Sequence, residues 1–167
     1  MSWRTIGLWG GENLYWFGPN AQVWVDFLGL AKKHPPARRP RGYRTYDMDS
    51  HGILSPQANR APGHCNKKDD DRVQSHHTIQ QEWAKQNIKG YDPQKAPAIL
   101  IPSSSGKAHA IISAMQRAFR KQNEFNTSIR QEFTESARQL KAAGLSSKQI
   151  KRALSQSYKY FRELGAL

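Results

Sequence analysis

Residues 75–119 read SHHTIQQEWAKQNIKGYDPQKAPAILIPSSSGKAHAIISAMQRAF, and the order of patterns within this stretch decides the fold. Two adjacent histidines, His76 and His77, follow Ser75 and a brief strand candidate, Arg72-Val73-Gln74. Thr78 is placed to cap a short helix in which Ile79, Trp83 and Asn87 recur at helical spacing, ending before Gly90. The continuous apolar run at 98–101, closed by Pro102, reads as a buried strand. Three serines and Gly106 then turn the chain. From Lys107 onward, Ala108, Ile112, Met115 and Phe119 fall at i, i+4, i+7 and i+11, which is one face of a helix. That helix carries a third histidine, His109, with Ser113 and Gln116 four and seven residues beyond it.

Toward the C-terminus the helical signal continues. Thr127 or Asn126 can cap a helix with Ile129, Phe133, Ala137 and Leu140 on one face, and Gly144 stands where a left-handed C-terminal residue belongs. Ser146 or Ser147 caps another, in which Ile150, Leu154, Tyr158 and Phe161 repeat the pattern. From Arg117 to the end there are eleven Lys/Arg against four Asp/Glu, so this pair carries much of the positive charge. Such a face can grip phosphate or be merely solvated.

Toward the N-terminus the signal weakens. Residues 44–71 contain Gly52, Pro56, Pro62 and Gly63 with little periodicity and read as mostly loop, ending in the acidic run Asp69-Asp70-Asp71. Residues 31–41 are rich in Pro, Lys and Arg, a linker composition. Residues 6–30, IGLWGGENLYWFGPNAQVWVDFLGL, are dense in aromatics and glycine. Short strands at 14–17 and 23–25 fit them, and these need a host sheet to be stable.

A chain of 167 residues with 37% hydrophobic content can bury one modest core. No apolar run is long enough to span a membrane, and no signal peptide is legible. The single cysteine, Cys65, excludes an internal disulfide or a thiolate metal cluster, which leaves oxygen and imidazole as metal ligands. The balance of 26 Lys+Arg against 13 Asp+Glu, net +13, favours a polyanionic partner, nucleic acid above all, although an acidic protein would also suit it.

Hydrolysis of a phosphodiester near neutral pH needs a base to activate water and a cation to offset charge on the phosphate and the leaving oxygen. Adjacent imidazoles at a strand end point to different sides, so His76 can face a metal while His77 faces water, with His109 as a second ligand. A His-His pair by itself is weak; the order of strand, His-His, strand and His-bearing helix strengthens it, because it is the layout of a ββα-metal finger. His64 reads as a loop histidine, His34 and His51 lie in linker-like sequence without a role, and Trp83 reads as core. Lys107 after a Ser-Gly turn fails the Walker spacing and is at most a phosphate contact.

Residues 75–119 resemble the SHH-signature toxins of the HNH/endonuclease VII superfamily, and the C-terminal helices resemble that family's tail. The resemblance implies an α+β, helix-rich fold: a ββα-metal (His-Me finger) nuclease core with a C-terminal pair of helices, over 71–167. It implies His77 as general base and His76 and His109 as ligands of a divalent metal, Mg²⁺ in first place with Mn²⁺, Ni²⁺ and Zn²⁺ open. Ser75, Ser113 and Gln116 are supporting residues, Ser113 standing where Thr is more usual. Lys107, Arg117 and Arg120 are the candidate phosphate contacts. A third protein ligand could be Asp71, or water and phosphate oxygens could complete the shell.

Residues 7–30 resemble the end of the core repeat of Rhs proteins, the shell around a polymorphic toxin. In that family two Asp-Pro-x-Gly-Leu motifs bracket the stretch and self-cleavage follows the second, here after Leu30. This chain departs at both motifs: Arg4-Thr5 replaces Asp-Pro, and Phe27 replaces the second Pro, so Asp26 alone survives of the aspartate pair. The implied organisation is core repeat over 1–30, basic Pro-rich linker and loops over 31–70, and toxin over 71–167.

The leading expectation is therefore an antibacterial, metal-dependent DNA endonuclease. A metal-independent RNase that uses the same histidines as acid and base is the alternative, and a non-catalytic nucleic-acid-binding module the third. The resemblance further implies synthesis in the bacterial cytoplasm within a larger protein and export by type VI secretion. It also implies action in the target-cell cytoplasm, with the Rhs shell and an acidic cognate immunity protein as partners and no membrane insertion.

Overall fold

The apolar run expected as a buried strand is the middle of a three-stranded antiparallel sheet. In the computed structural model, which describes residues 35–67 and 72–167, the order of elements is β1 (Met48–Ser50), α1 (His51–Leu54), a 3₁₀ turn (Gln57–Asn59), β2 (Val73–His77), α2 (Gln81–Asn87), β3 (Pro97–Pro102), α3 (Ala108–Asn123), α4 (Ile129–Ala142) and α5 (Ser147–Glu163). The core-repeat strands expected within 1–30, Asp26, Leu30 and the acidic run 69–71 lie outside the described residues.

The strands are ordered β1-β3-β2, so β3 is paired on both sides. Met48 stands opposite Ile99, while Ser75, His76 and His77 stand opposite Leu100, Ile99 and Ala98. Side chains alternate across a strand, and directly opposed residues share a face. One face therefore sends Ile99 and Ile101 into a cluster with Met48, Ala108, Ile112, Leu140, Leu145 and Ala153 under the helices. The other sends Ala98 and Leu100 against Tyr43, Ile53, Leu54 and Val73. Covered on both sides, β3 is a run of apolar residues rather than an alternation. Ile99, Leu100 and Ile101 are 0% exposed, each contributing roughly 1.5–3 kcal/mol of transfer free energy.

The α+β, helix-rich class is as expected, and β2, β3 and α3 follow in ββα order. Several local expectations are corrected. Residues 35–67, expected as linker and loop, are mostly turn and loop but are packed into the domain: Tyr43, Met48, Ile53 and Leu54 are buried, and they supply half of one core face and a strand of the sheet. Elements of three or four residues have no readable period, and they are ordered here by partners far away in sequence, such as Met48 on Ile99. The histidines belong to β2 itself rather than following it. Helix α2 starts at Gln81 without a side-chain cap, so Thr78 is not its cap.

Ser128, not Thr127 or Asn126, caps α4 in a reciprocal box with Gln131, and Ser146 does the same for α5 with Gln149. Gly144 takes the expected left-handed conformation, φ +84°. The buried faces are rotated from the expected stripes: α4 buries Glu132, Glu135, Ser136 and Gln139 beside Leu140, and α5 buries Ala153, Ser157 and Phe161, leaving Tyr158 50% exposed. The small side chains of Ala153 and Ser157 let α5 lie close to β3, which it contacts. Trp83 is core, 1% exposed with its indole N–H donating to Thr127 O at 3.1 Å.

Candidate active site

Strand β2 lies at the edge of the sheet, so the end of the strand is open on one side while both of its faces are roofed. Alternation sends His76 toward the helix layer and Ser75 and His77 toward the α1 layer. On the helix side, His109 in the first turn of α3 meets His76 edge to face, with ring centroids 5.4 Å apart at 86°. On the other side, His51, the first residue of α1, stacks on His77 with centroids 4.3 Å apart at 26°. All four imidazoles line one cavity of about 250 Å³, together with Gln80, Gln81, Glu82 and Gln116.

Burial governs the electrostatics. His76 and His77 are 9% and 8% exposed. The His76 imidazole is pushed down to about 3 by desolvation, and the neighbouring rings of His109, His77 and His51 add to the shift. His77 is likewise pushed down to about 3, by burial first and then by His51 and Lys85; the Gln81 side chain opposes the shift, though it approaches without forming a full hydrogen bond. His109 is lowered by burial, and His51 by burial and by the Arg60 guanidinium. At neutral pH the cluster is uncharged, so each ring has a lone pair for a metal or a proton. Both ring nitrogens of His77 are buried and lack a hydrogen-bond partner. A buried polar atom without a partner in the protein is open to one from outside it, such as water, an ion or a substrate.

The other sequence-derived candidates are distributed unevenly. Ser75 Oγ lies 2.9 Å from His51 Nδ1, and Ser113 Oγ lies 3.4 Å from His109 Nδ1. Lys107 precedes α3 but lines a different cavity with Tyr46, Ser104 and Gly106. Arg117 is exposed on α3, next to Gln116. Arg120 is a correction: its guanidinium is bound to Glu132, Gln80, Thr127 Oγ1 and Glu124 O, and its side chain is 11% exposed. With those donors committed inside the fold, it pins α3 to α4 and to the turn before α2 instead of offering a free cation. His64 holds a loop through Thr45, 2.8 Å from its hydroxyl and 3.1 Å from its N–H.

The residue that reading the chain in order missed is His51. Its neighbours give no period and no motif, and it reaches the site only because β1 pairs with β3. The cluster Gln80, Gln81 and Glu82 was equally silent.

A divalent metal suits the donor set in part. His76 and His109 present two neutral imidazoles to each other across the cavity, and imidazole is a common ligand for first-row divalent ions. Among the described residues no group of three or more His, Cys, Asp or Glu is arranged to hold a metal. Glu82 lines the same cavity with its carboxylate accepting from Gln86 at 3.0 Å. No helix among the described residues is long and apolar enough to cross a membrane.

A family model described as an HNH/Endo VII superfamily toxin with a SHH signature matches residues 70–162, more than half of the chain and the whole ββα region. No curated protein and no solved structure matches the chain.

Proposed function

The chain belongs to the HNH/Endo VII superfamily toxins with an SHH signature, a nuclease superfamily, and from that premise we propose that it is a metal-dependent DNA endonuclease in which His77 is the general base. The observation that supports this most is the condition of His77: buried, neutral, and with both ring nitrogens unpartnered in a cavity that it shares with three more imidazoles. A neutral ring accepts the proton of an attacking water. The docked phosphodiester is an anion, and its charge raises the proton affinity that burial has lowered, so the base strengthens when substrate arrives.

His76 and His109 would hold a divalent ion, of which Mg²⁺ is the first choice and Mn²⁺, Ni²⁺ and Zn²⁺ the alternatives. When bound, such an ion supplies positive charge to the phosphate and the departing oxygen. Ser113, behind His109, and Gln116, on the cavity wall, support that side of the site. Lys107 and Arg117 would contact the phosphate backbone, which positions a duplex without reading its sequence. Residues 1–30 would be the end of an Rhs core repeat, with Asp26 and Leu30 a remnant of its self-cleavage site. The toxin would then act in a target cell after type VI delivery, held in check at home by an acidic immunity protein.

The test is incubation of the purified chain with plasmid DNA and with RNA, in Mg²⁺ or EDTA, for wild type and His77→Ala. Wild type should nick DNA only with metal, and His77→Ala should lose activity by at least about 100-fold. Cleavage of RNA alone and in EDTA would replace this reading with a metal-independent RNase.

A further inference from the structure

His51 lies 24 residues before Ser75 in sequence and outside the SHH stretch, yet its place in the site is fixed from three sides. Its backbone N–H donates to Ala96 O at 2.9 Å, and the N–H of Gly52 donates to Gln94 O at 2.8 Å, which docks the first turn of α1 on the segment entering β3. A Cβ at Gly52 would stand 3.0 Å from Gln94 O, a tight contact that glycine avoids. From below, the buried Arg60 donates to Leu54 O at 2.9 Å and Ser55 O at 3.1 Å, at the end of α1, and also to Val73 O of β2. One guanidinium thus ties the helix that carries His51 to the strand that carries His77.

The side chain is fixed as well. His51 Nδ1 is 2.9 Å from Ser75 Oγ, and the ring stacks on His77 at an interplanar angle of 26°. Ser75 and His77 are two residues apart on β2 and so share its face, which lets one ring touch both. A histidine that takes up a proton is ordinarily held by a hydrogen bond from its second nitrogen to a carboxylate or carbonyl, which sets its rotamer and tautomer. His77 has no such bond at either nitrogen. The Gln81 side chain approaches it, and the face of His51 covers it.

We infer that His51 is a positioning residue, which orients the His77 imidazole by stacking and is itself anchored by Ser75, in the place where a hydrogen-bonded partner would otherwise stand. The serine of the SHH stretch thereby acquires a role of its own, since it holds the ring that holds the base. The inference rests on the proposed role of His77.

The experiment uses the full chain and four variants, His51→Ala, His51→Phe, Ser75→Ala and His77→Ala. Each is checked for folding by circular dichroism, and DNA cleavage is resolved into kcat and KM. In parallel, the carbon-bound ring protons of His77 are followed by NMR in histidine-labelled protein. His51→Ala should lower kcat by about 10- to 100-fold, with KM changed by less than about 2-fold, and should shift the His77 ring protons as the stacked ring current disappears. His51→Phe, which restores a flat ring without a nitrogen, should recover most of the lost kcat, and Ser75→Ala should fall between wild type and His51→Ala.

Wild-type kcat in a folded His51→Ala protein, with His77→Ala inactive, overturns the inference alone. Equal loss in folded His51→Ala and His51→Phe also overturns it, because a nitrogen and not a ring face would then be needed. Full activity in His77→Ala overturns the proposed function itself. If folding fails in His51→Ala, the comparison of His51→Phe with Ser75→Ala decides: kcat at the wild-type value in Ser75→Ala refutes the anchored stack.

Discussion

Lowering the pH from 7.5 to 5.0 in the presence of a chelator is expected to cost the fold about 4 kcal/mol, through the two buried histidines of β2. His76 and His77 sit near 3 in the folded protein, well below the ordinary value of 6.5 that the unfolded chain restores. Between these limits the unfolded state binds protons that the native state refuses, so stability is level above about 6.5 and falls as pH drops toward 3. At pH 5.0 each group lies roughly 1.5 pH units below its unfolded value, worth about 2 kcal/mol apiece at 1.36 kcal/mol per unit.

His51 and His109 shift in the same direction and add to the loss. Ordinary carboxylates titrate near 4, so the window from 6.5 to 5 isolates the imidazoles. The assay is urea unfolding followed by far-ultraviolet circular dichroism at pH 7.5, 6.0 and 5.0 in EDTA at constant ionic strength. Wild type is compared with the double variant His76→Asn, His77→Asn, whose profile should be markedly flatter. A wild-type loss below about 1 kcal/mol, or an equal loss in the double variant, would refute the account of the cluster as neutral and desolvated.

Three further outcomes follow from the same structure. Replacing Arg120 with Met leaves Glu132, 4% exposed, without its cation, and should destabilise the chain by about 3–5 kcal/mol in urea unfolding; an unchanged midpoint would show that the pair contributes nothing. Divalent ions should raise the melting temperature of wild type, with a smaller rise in His76→Ala and in His109→Ala, measured by differential scanning fluorimetry. Equal rises in all three proteins would place the ion elsewhere. Lys107→Ala combined with Arg117→Ala should weaken DNA binding and reduce the slope of log K against log salt by about 1–2, whereas Arg120→Ala should leave that slope unchanged, as judged by fluorescence anisotropy across a salt series.

Much of the site could be read along the chain because its parts announce themselves locally. Ser75, His76 and His77 stand together, the run 98–101 is apolar without interruption, and Ala108, Ile112, Met115 and Phe119 keep helical spacing around His109. Net charge, helix punctuation at Gly144 and Ser146 before α5 belong to the same class of local signal, whereas the cap of α4 was expected at Thr127 or Asn126 and is Ser128.

What the sequence determined by itself is thus the order strand, strand, helix and the three histidines placed on it. It could not determine His51, because β1 and α1 are only three and four residues long and are held by β3, by Gln94 and by Arg60, partners that no periodicity reveals. Nor could it separate the roles of Arg120 and Arg117, three positions apart on one helix, one locked onto Glu132 and the other exposed. Local pattern reports which face of an element is apolar; which distant groups meet there is decided by strand pairing and by the burial of charge, and those exist only in the folded chain.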